Sequence, residues 1–279
     1  MRKNLVVALS LAAIAAASTS AFADYSAAGS GVSGSRHDIN KFASENAGLS
    51  VTPDSQERVC AFCHTPHHAY AKDMTGASST GTTADYLPLW SHELTAKAYT
   101  PYASSTLQAS IGDPLIGPSR LCMSCHDGVI AVDTHYQNLG AEATKSPQLT
   151  GDTFSSTAAL SGAVGAGTSL AGDHPIGFDY LVAQAADRDA NTNLVTGIKE
   201  ASNHFLTING SGQIPTTIQD VLFPFGSNIK RIMTCSTCHE VHNRDNVVQY
   251  KANGSRMDVN YFLYGSQSGS KICLSCHDK

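Results

Sequence analysis

Cys60-Ala-Phe-Cys63-His64 is the first of four copies of one motif. The others are Cys122-Met-Ser-Cys125-His126, Cys235-Ser-Thr-Cys238-His239 and Cys273-Leu-Ser-Cys276-His277, and together they use all eight cysteines of the 279-residue chain. Cys-x-x-Cys-His is typical of covalent haem c attachment, in which two thiols bond to the haem vinyl groups and the histidine binds iron. The sequence therefore predicts four covalently attached haem c groups.

Other uses of paired cysteines explain the pattern less well. Eight cysteines in an exported protein could form four disulfides, and Cys-x-x-Cys pairs also bind zinc or exchange thiols. None of these uses requires a histidine after every pair. With 12 histidines in 279 residues, four such placements by chance have a probability on the order of one in several hundred thousand.

The amino-terminal residues predict export. Residues 1–23 resemble a signal peptide, with Arg2 and Lys3 before an apolar run and Ala21-Phe22-Ala23 as the cleavage site. The apolar run is short for a membrane anchor, and no later segment is expected to cross a bilayer. We expect an extracellular or cell-surface protein after cleavage, with the periplasm as the alternative.

The charge of the chain limits its partners. Without Arg2 and Lys3, 16 basic residues oppose 23 acidic ones, a formal charge of −7. A nucleic-acid partner is therefore not expected. Redox partner proteins or extracellular metal acceptors fit an acidic surface better.

The composition predicts an irregular fold. Aromatic residues make up only 7% of the chain, and Gly, Ser, Thr and Ala are abundant. Long amphipathic helices and alternating strands are hard to find. We expect mostly irregular loops with short α-helices wrapped around four c-type haems, and little or no β-sheet. Haem insertion should supply part of the folding energy, as metal binding does in small metal domains.

The order of motifs suggests an internal duplication. Each half has a His-x-Ile element, a Cys-x-x-Cys-His followed three residues later by a second histidine, and a Ser-Cys-His-Asp element. The expected organisation is a first dihaem half at 24–139, a Gly/Ser/Thr/Ala-rich linker at 140–172 and a second dihaem half at 173–279.

Distal iron ligands decide between electron carrier and enzyme. Two strong protein ligands on each iron suit electron transfer, whereas an open position permits binding of small molecules. Eight histidines lie outside the attachment motifs: His37, His67, His68, His92, His135, His174, His204 and His242. His67 and His242 each stand three residues after an attachment histidine, and we expect each to reach the iron of a neighbouring haem.

His37 and His174 complete the predicted set because they occupy matching places in the two halves. His37, on a flexible arm, could also reach a haem of another subunit. The predicted iron ligands are thus the four attachment histidines with His37, His67, His174 and His242.

Other residues remain as rivals or secondary contacts. His92, close to Trp90, is the main rival as a distal ligand, and methionine ligation is less favoured. Three histidines are expected at the surface or near haem propionates: His68, His135 and His204. Asp127 and Asp278 follow attachment histidines and could accept the proximal imidazole N–H, although a solvent-facing turn explains them equally well.

The chain resembles the exported multihaem cytochromes of metal-reducing bacteria, known as doubled-CxxCH or cytochrome c3-like proteins. The motifs that carry the resemblance are Ser35-Arg-His-Asp-Ile, Cys-x-Phe-Cys-His-Thr-Pro-His67, Pro88-Leu-Trp-Ser, Leu-Cys-Met-Ser-Cys-His-Asp-Gly128, Asp173-His-Pro-Ile-Gly-Phe and Ile-Cys-Leu-Ser-Cys-His277. Within this group it is most similar to the tetrahaem outer-surface cytochromes that form nanowires. That resemblance implies closely stacked haems and a homopolymer with haem-to-haem contact between subunits.

The sequence-based expectation is a non-enzymatic electron carrier in extracellular electron transfer, with assembly into a polymeric filament as a further hypothesis. A soluble periplasmic shuttle to a reductase is the alternative. A multihaem reductase with an open haem site is the third hypothesis.

Overall fold

The computed structural model describes slightly more than half of the chain. The described residues are 31–35, 37–45, 51–67, 88–92, 94–95, 97–127, 132–133, 135, 164, 169–187, 197–205, 217–226, 228–242 and 262–278. The predicted signal peptide, most of the predicted linker and His68 lie outside these residues.

Short helices and loops make up the described part of the chain. The α-helices are α1 Ile39–Glu45, α2 Pro118–His126, α3 Tyr180–Ala186, α4 Ile218–Val221 and α5 Lys271–Cys276. Three 3-10 helices lie at Val59–Phe62, Cys235–Thr237 and Ser268–Ser270. Short helices are present among the described residues, and the expected irregular fold wrapped around haem stays a prediction.

One small hairpin supplies the sheet within the described residues. Strand β1, Phe223–Phe225, pairs antiparallel with β2, Lys230–Ile232, so that Phe223 faces Ile232 and Phe225 faces Lys230. Helix α3 packs against β2. The backbone N–H of Met233 donates to the Phe178 carbonyl, which ties the segment before α3 to the end of the hairpin.

The largest apolar cluster lies mainly in the predicted second half. Buried members include Phe178, Tyr180, Phe205, Ile218 and Met233. Their burial removes apolar area from water and stabilises the fold by about 25 cal/mol per Å². The same cluster takes in a residue from the predicted first half: Ala109. The two halves therefore share a core.

A smaller cluster joins the end of the predicted linker to the first half. Leu170 is buried with Tyr99, Leu115 and Met123. Its backbone N–H donates to the carbonyl of Thr100 at 2.8 Å. The carboxyl-terminal end of the region 140–172 is thus packed against the first half.

The start of α2 depends on a glycine. Gly117 precedes the helix with φ of 63°, a left-handed conformation that side chains disfavour. A Cβ at this position would lie 2.6 Å from atoms of the Phe223 ring. Pro118 then takes the first helical position, where its missing N–H costs nothing. Gly117 therefore lets the second attachment helix approach the hairpin of the other half.

None of the helices within the described ranges combines the length and hydropathy that a bilayer-spanning segment requires.

Candidate haem sites

The first and third attachment motifs share a 3-10 turn. In the first, the His64 backbone N–H donates to the Cys60 carbonyl at 2.8 Å. In the third, the His239 N–H donates to the Cys235 carbonyl at 3.1 Å. Each turn brings the two cysteines and the histidine of its motif to one short stretch of helix, as attachment to a single porphyrin requires.

A second strand-like segment braces each of these turns. Ser91 N–H donates to the Cys63 carbonyl at 3.0 Å, and Tyr264 N–H donates to the Cys238 carbonyl at 3.0 Å. The bracing segments also share a backbone feature, because Leu89 and Phe262 both have positive φ, 54° and 56°. This repeated local structure is what an internal duplication would produce.

The second and fourth motifs lie instead on α-helices, α2 and α5. In α5, the His277 N–H donates to the Cys273 carbonyl at 2.9 Å. Each half therefore carries one motif on a 3-10 turn, followed by one on an α-helix.

All eight cysteines are described, and none of them forms a disulfide. Burial raises the pKa of the Cys63 thiol to about 12, and the neighbouring Cys125 thiol contributes to the rise. Burial likewise raises the pKa of Cys238 to about 12, and Cys276 is its leading thiol neighbour. In each half, then, the second cysteines of the two motifs are neighbours.

Three pairs of imidazole rings join an attachment histidine to a predicted distal histidine. Their ring centroids lie 6.0 Å apart for His126 with His37, 6.1 Å for His64 with His242, and 6.3 Å for His277 with His174. The His64 pair crosses from one half to the other.

These separations fit one iron between each pair of rings. A nitrogen ligand lies about 2 Å from a first-row metal, and ring bonds of about 1.35 Å place that nitrogen about 1.15 Å from the ring centroid. Two imidazoles on opposite sides of one iron therefore have centroids about 6.3 Å apart. The interplanar angles of 64°, 28° and 69° differ, as rotation about each metal bond permits.

Hydrogen bonds at Nδ1 orient three of the paired histidines. A carbonyl oxygen only accepts, so the ring nitrogen must donate when His64 Nδ1 meets the Pro88 carbonyl at 2.6 Å and His174 Nδ1 meets the Pro175 carbonyl at 3.1 Å. His242 Nδ1 lies 2.9 Å from Glu240 Oε1. A proton on Nδ1 leaves Nε2 as the nitrogen with a lone pair for a metal, as second-shell partners do in metal sites.

Glu240 affects the basicity of His242 as well as its orientation. The hydrogen bond that His242 donates to Glu240 raises the pKa of His242, and the same contact lowers the pKa of Glu240. The Tyr264 hydroxyl donates to the second carboxylate oxygen at 3.2 Å. Glu240 is a supporting residue that the sequence analysis missed, although the Cys-His-Glu-x-His spacing could have signalled it.

Burial, together with the neighbouring His126, His239 and His242, lowers the pKa of His37 to about 3, which favours the neutral imidazole. Its Nδ1 atom is buried and makes no hydrogen bond with any described residue. The ring also packs 4.7 Å from the Phe262 ring, centroid to centroid. A partly buried imidazole with a buried, unbonded Nδ1 atom beside an attachment histidine could serve as a ligand of haem iron.

His92 and His135 are buried histidines outside the ring pairs, and protein groups contact their ring nitrogens in different ways. His92 is fully buried, and its Nε2 lies 3.1 Å from the Ser124 carbonyl, to which it must donate. His135 was expected at the surface or near a propionate, but it is 1% exposed and its Nε2 lies 3.3 Å from Asp54 Oδ1. The Nε2 bond of His92 favours a structural role. His135 Nδ1 lies 3.0 Å from the Asp133 carbonyl, to which it must donate, so contacts at both ring nitrogens tie His135 to the first half.

The remaining predicted ligand lies outside these three ring pairs. His67 is exposed just after the first motif, and its backbone carbonyl accepts from the Thr65 hydroxyl at 2.5 Å. His239 is also exposed. His204 is exposed too, and its backbone forms an isolated antiparallel β-bridge with Thr217. The assignment of His67 stays a prediction.

The two aspartates that follow attachment histidines differ. Asp127 is buried, and Lys97 Nζ donates to its backbone carbonyl at 3.0 Å. Asp278 is exposed, and its backbone N–H donates to the Gly197 carbonyl at 3.1 Å. A solvent-facing turn therefore describes Asp278 but not Asp127.

Among the described residues, no group of three or more His, Cys, Asp or Glu side chains is arranged to hold a metal ion. Comparison of the chain with models of known protein families and with curated protein sequences gives no match in either case.

Proposed function

We propose that this chain is an exported tetrahaem c-type cytochrome that carries electrons and performs no catalysis of its own. The observation that carries the proposal is the set of three ring pairs, each with the centroid separation that one iron between two imidazoles needs. Haem c, when bound, supplies one-electron transfer between ferrous and ferric iron.

The residues of the chain would have distinct roles in holding the cofactors. The eight cysteines attach the porphyrin edges, and the motif histidines are the proximal ligands. His37, His174 and His242 are proposed as second ligands because each ring lies beside that of an attachment histidine, and His67 is proposed for the remaining iron. Ligation by two histidines would favour lower reduction potentials than histidine with methionine.

Buried side chains would exclude water from these sites. Phe62 lies within the first motif and is 2% exposed, and Met123 lies within the second and is 1% exposed. A dry environment around a cofactor raises the electrostatic cost of changing its charge and so tunes its potential.

Visible and electron paramagnetic resonance spectroscopy of the haem-loaded protein test the proposal. We expect four haems per chain by mass, low-spin signals at every iron and no spectral change on adding CO. A high-spin signal with CO binding would instead favour the reductase hypothesis, because it would reveal an open iron position.

The site of action is a separate proposal. The acidic chain and the resemblance to outer-surface cytochromes favour extracellular electron transfer to metal acceptors or redox partners, with assembly into a homopolymer. Electron microscopy of extracellular material should show filaments of this chain. Discrete monomers confined to the periplasm would favour the soluble shuttle.

A further inference from the structure

The second and third attachment motifs lie directly against each other, although they belong to opposite halves. Helix α2 packs against the 3-10 helix Cys235–Thr237. The Cys235 backbone N–H donates to Ser119 Oγ at 3.1 Å. The Cys122 and Cys235 thiols are also neighbours, because each shifts the pKa of the other, raising that of Cys122 and lowering that of Cys235.

The bond made by Ser119 differs from those of comparable serines. Serine in a helix usually bonds back to its own helix backbone. Ser124 does so with the Leu121 carbonyl at 2.7 Å, and Ser275 does so with the Lys271 carbonyl at 3.1 Å. The fully buried Ser119 instead accepts from a residue 116 positions away in the chain.

The donor in this bond is a group that needs a partner. Cys235 opens a 3-10 helix, and the first N–H groups of a helix have no carbonyl partner within that helix. Ser119 therefore caps the third attachment motif from the second. Because the bond uses the backbone N–H, attachment of the Cys235 sulfur to a porphyrin leaves it in place.

We propose that Ser119 is a positioning residue that fixes the third attachment motif against the second. It would thereby set the electronic coupling between the cofactors of the two halves. The inference rests on the proposed haem loading and adds a specific junction to it. Ser270 stands three residues before Cys273, as Ser119 does before Cys122, yet it is exposed. Ser270, the residue of the second half that corresponds to Ser119, is therefore not buried against another attachment motif.

Circular dichroism of the haem-loaded protein tests this role, with Ser119→Ala compared with Ser275→Ala. Neighbouring porphyrins give a two-signed band in the Soret region whose amplitude depends on their separation and mutual orientation. We expect Ser119→Ala to lose amplitude in this band while keeping four haems by mass and low-spin spectra. Ser275→Ala removes an equally buried hydroxyl that bonds back to the Lys271 carbonyl of its own helix, and should keep the wild-type band.

Two results would overturn the inference: a wild-type band in Ser119→Ala, or equal losses in both variants. A structure of the haem-loaded wild type gives an answer even if Ser119→Ala does not fold. In that structure the Cys235 backbone nitrogen should lie within hydrogen-bond distance of Ser119 Oγ, about 3 Å, and a haem lying between the two motifs at this point would refute the junction. CO binding by the wild type would count against the proposed function alone, because the dichroism comparison would still report on Ser119.

Discussion

The two halves of the molecule hold their attachment motifs in the same way but are supported by different chemistry. In both halves, the first attachment motif lies on a 3-10 helix and is hydrogen bonded to a segment that contains one residue with positive φ. The second attachment motif of each half lies on an α-helix. Behind the first half lies a polar network around Asp54 and His135, whereas the second half rests on the apolar cluster around Tyr180 and Phe205. The local geometry of attachment is thus independent of what stabilises it.

A second comparison concerns the histidine ring pairs. His126 is paired with His37 within the first half and His277 with His174 within the second, whereas His64 of the first half is paired with His242 of the second. The cross-half pair places the first motif beside the residues that follow the third. The two halves are therefore in contact at their motifs as well as in the shared core.

Removal of the cross-half ligand should have the largest effect. In His242→Ala, the iron attached at the first motif loses its proposed distal ligand, so one haem of the four should become high-spin and bind CO. Resonance Raman spectra and CO titration measure this change. His204→Ala, which removes an exposed histidine outside the ring pairs, serves as the control and should remain fully low-spin. An unchanged spectrum in His242→Ala would show that His242 is not a ligand of the haem attached at the first motif.

Gly117→Ala should weaken the contact between the halves. A Cβ at Gly117 meets the Phe223 ring at 2.6 Å, and φ of 63° is strained for alanine. We expect a loss of about 2–4 kcal/mol in the free energy of unfolding, from left-handed strain and overpacking. Chemical denaturation of the haem-loaded protein measures it.

Gly112→Ala is the matched control, because a Cβ there has nothing within 4 Å and φ is not in the strained range. Its effect should stay within about 0.5 kcal/mol. Equal losses in the two variants would show that the approach of α2 to the hairpin contributes little to stability.

Asp54→Asn tests the polar support of the first half. Arg58 donates two hydrogen bonds to the Asp54 carboxylate, at 3.0 and 2.7 Å, and this contact holds the pKa of Asp54 well below its usual range. Because the Arg58 side chain is 32% exposed, solvent screens the pair. A loss of about 1–3 kcal/mol at neutral pH is expected.

The pH dependence of the Asp54 contribution has a definite sign. A carboxylate with a lowered folded pKa stabilises the protein fully above its unfolded pKa, about 3.9, and loses that contribution as pH falls towards the folded value. The stability gap between wild type and Asp54→Asn should therefore close below about pH 4. A gap that does not change between neutral and acidic pH would contradict this account of Asp54.

In the second half, Tyr180→Phe removes the hydrogen bond from the hydroxyl to the Lys199 carbonyl. This change should lower the free energy of unfolding by only about 1 kcal/mol.

The motifs and the histidine pairs could be predicted from the sequence more completely than the residues that surround them. Cys-x-x-Cys-His spacing is local, so it predicts each attachment turn directly. The match between His37 and His174 was visible as a repeat, and both are found beside attachment histidines. The burial of His135 could not be predicted, because its partner Asp54 is 81 positions away and only tertiary structure brings them together. The same holds for Ser119 and Cys235.

Glu240→Gln should give the smallest effect and the finest comparison of the halves. The His242 ring would keep a hydrogen-bond acceptor at Nδ1 but lose the carboxylate that raises its pKa, so it becomes a weaker electron donor to iron. The haem held by His64 and His242 should then show a higher reduction potential. The haem held by His174, whose Nδ1 faces a carbonyl, should keep its own. Spectroelectrochemical titration separates the two outcomes. A uniform shift of all four potentials would indicate a general field effect, and would show that Glu240 does not act through His242.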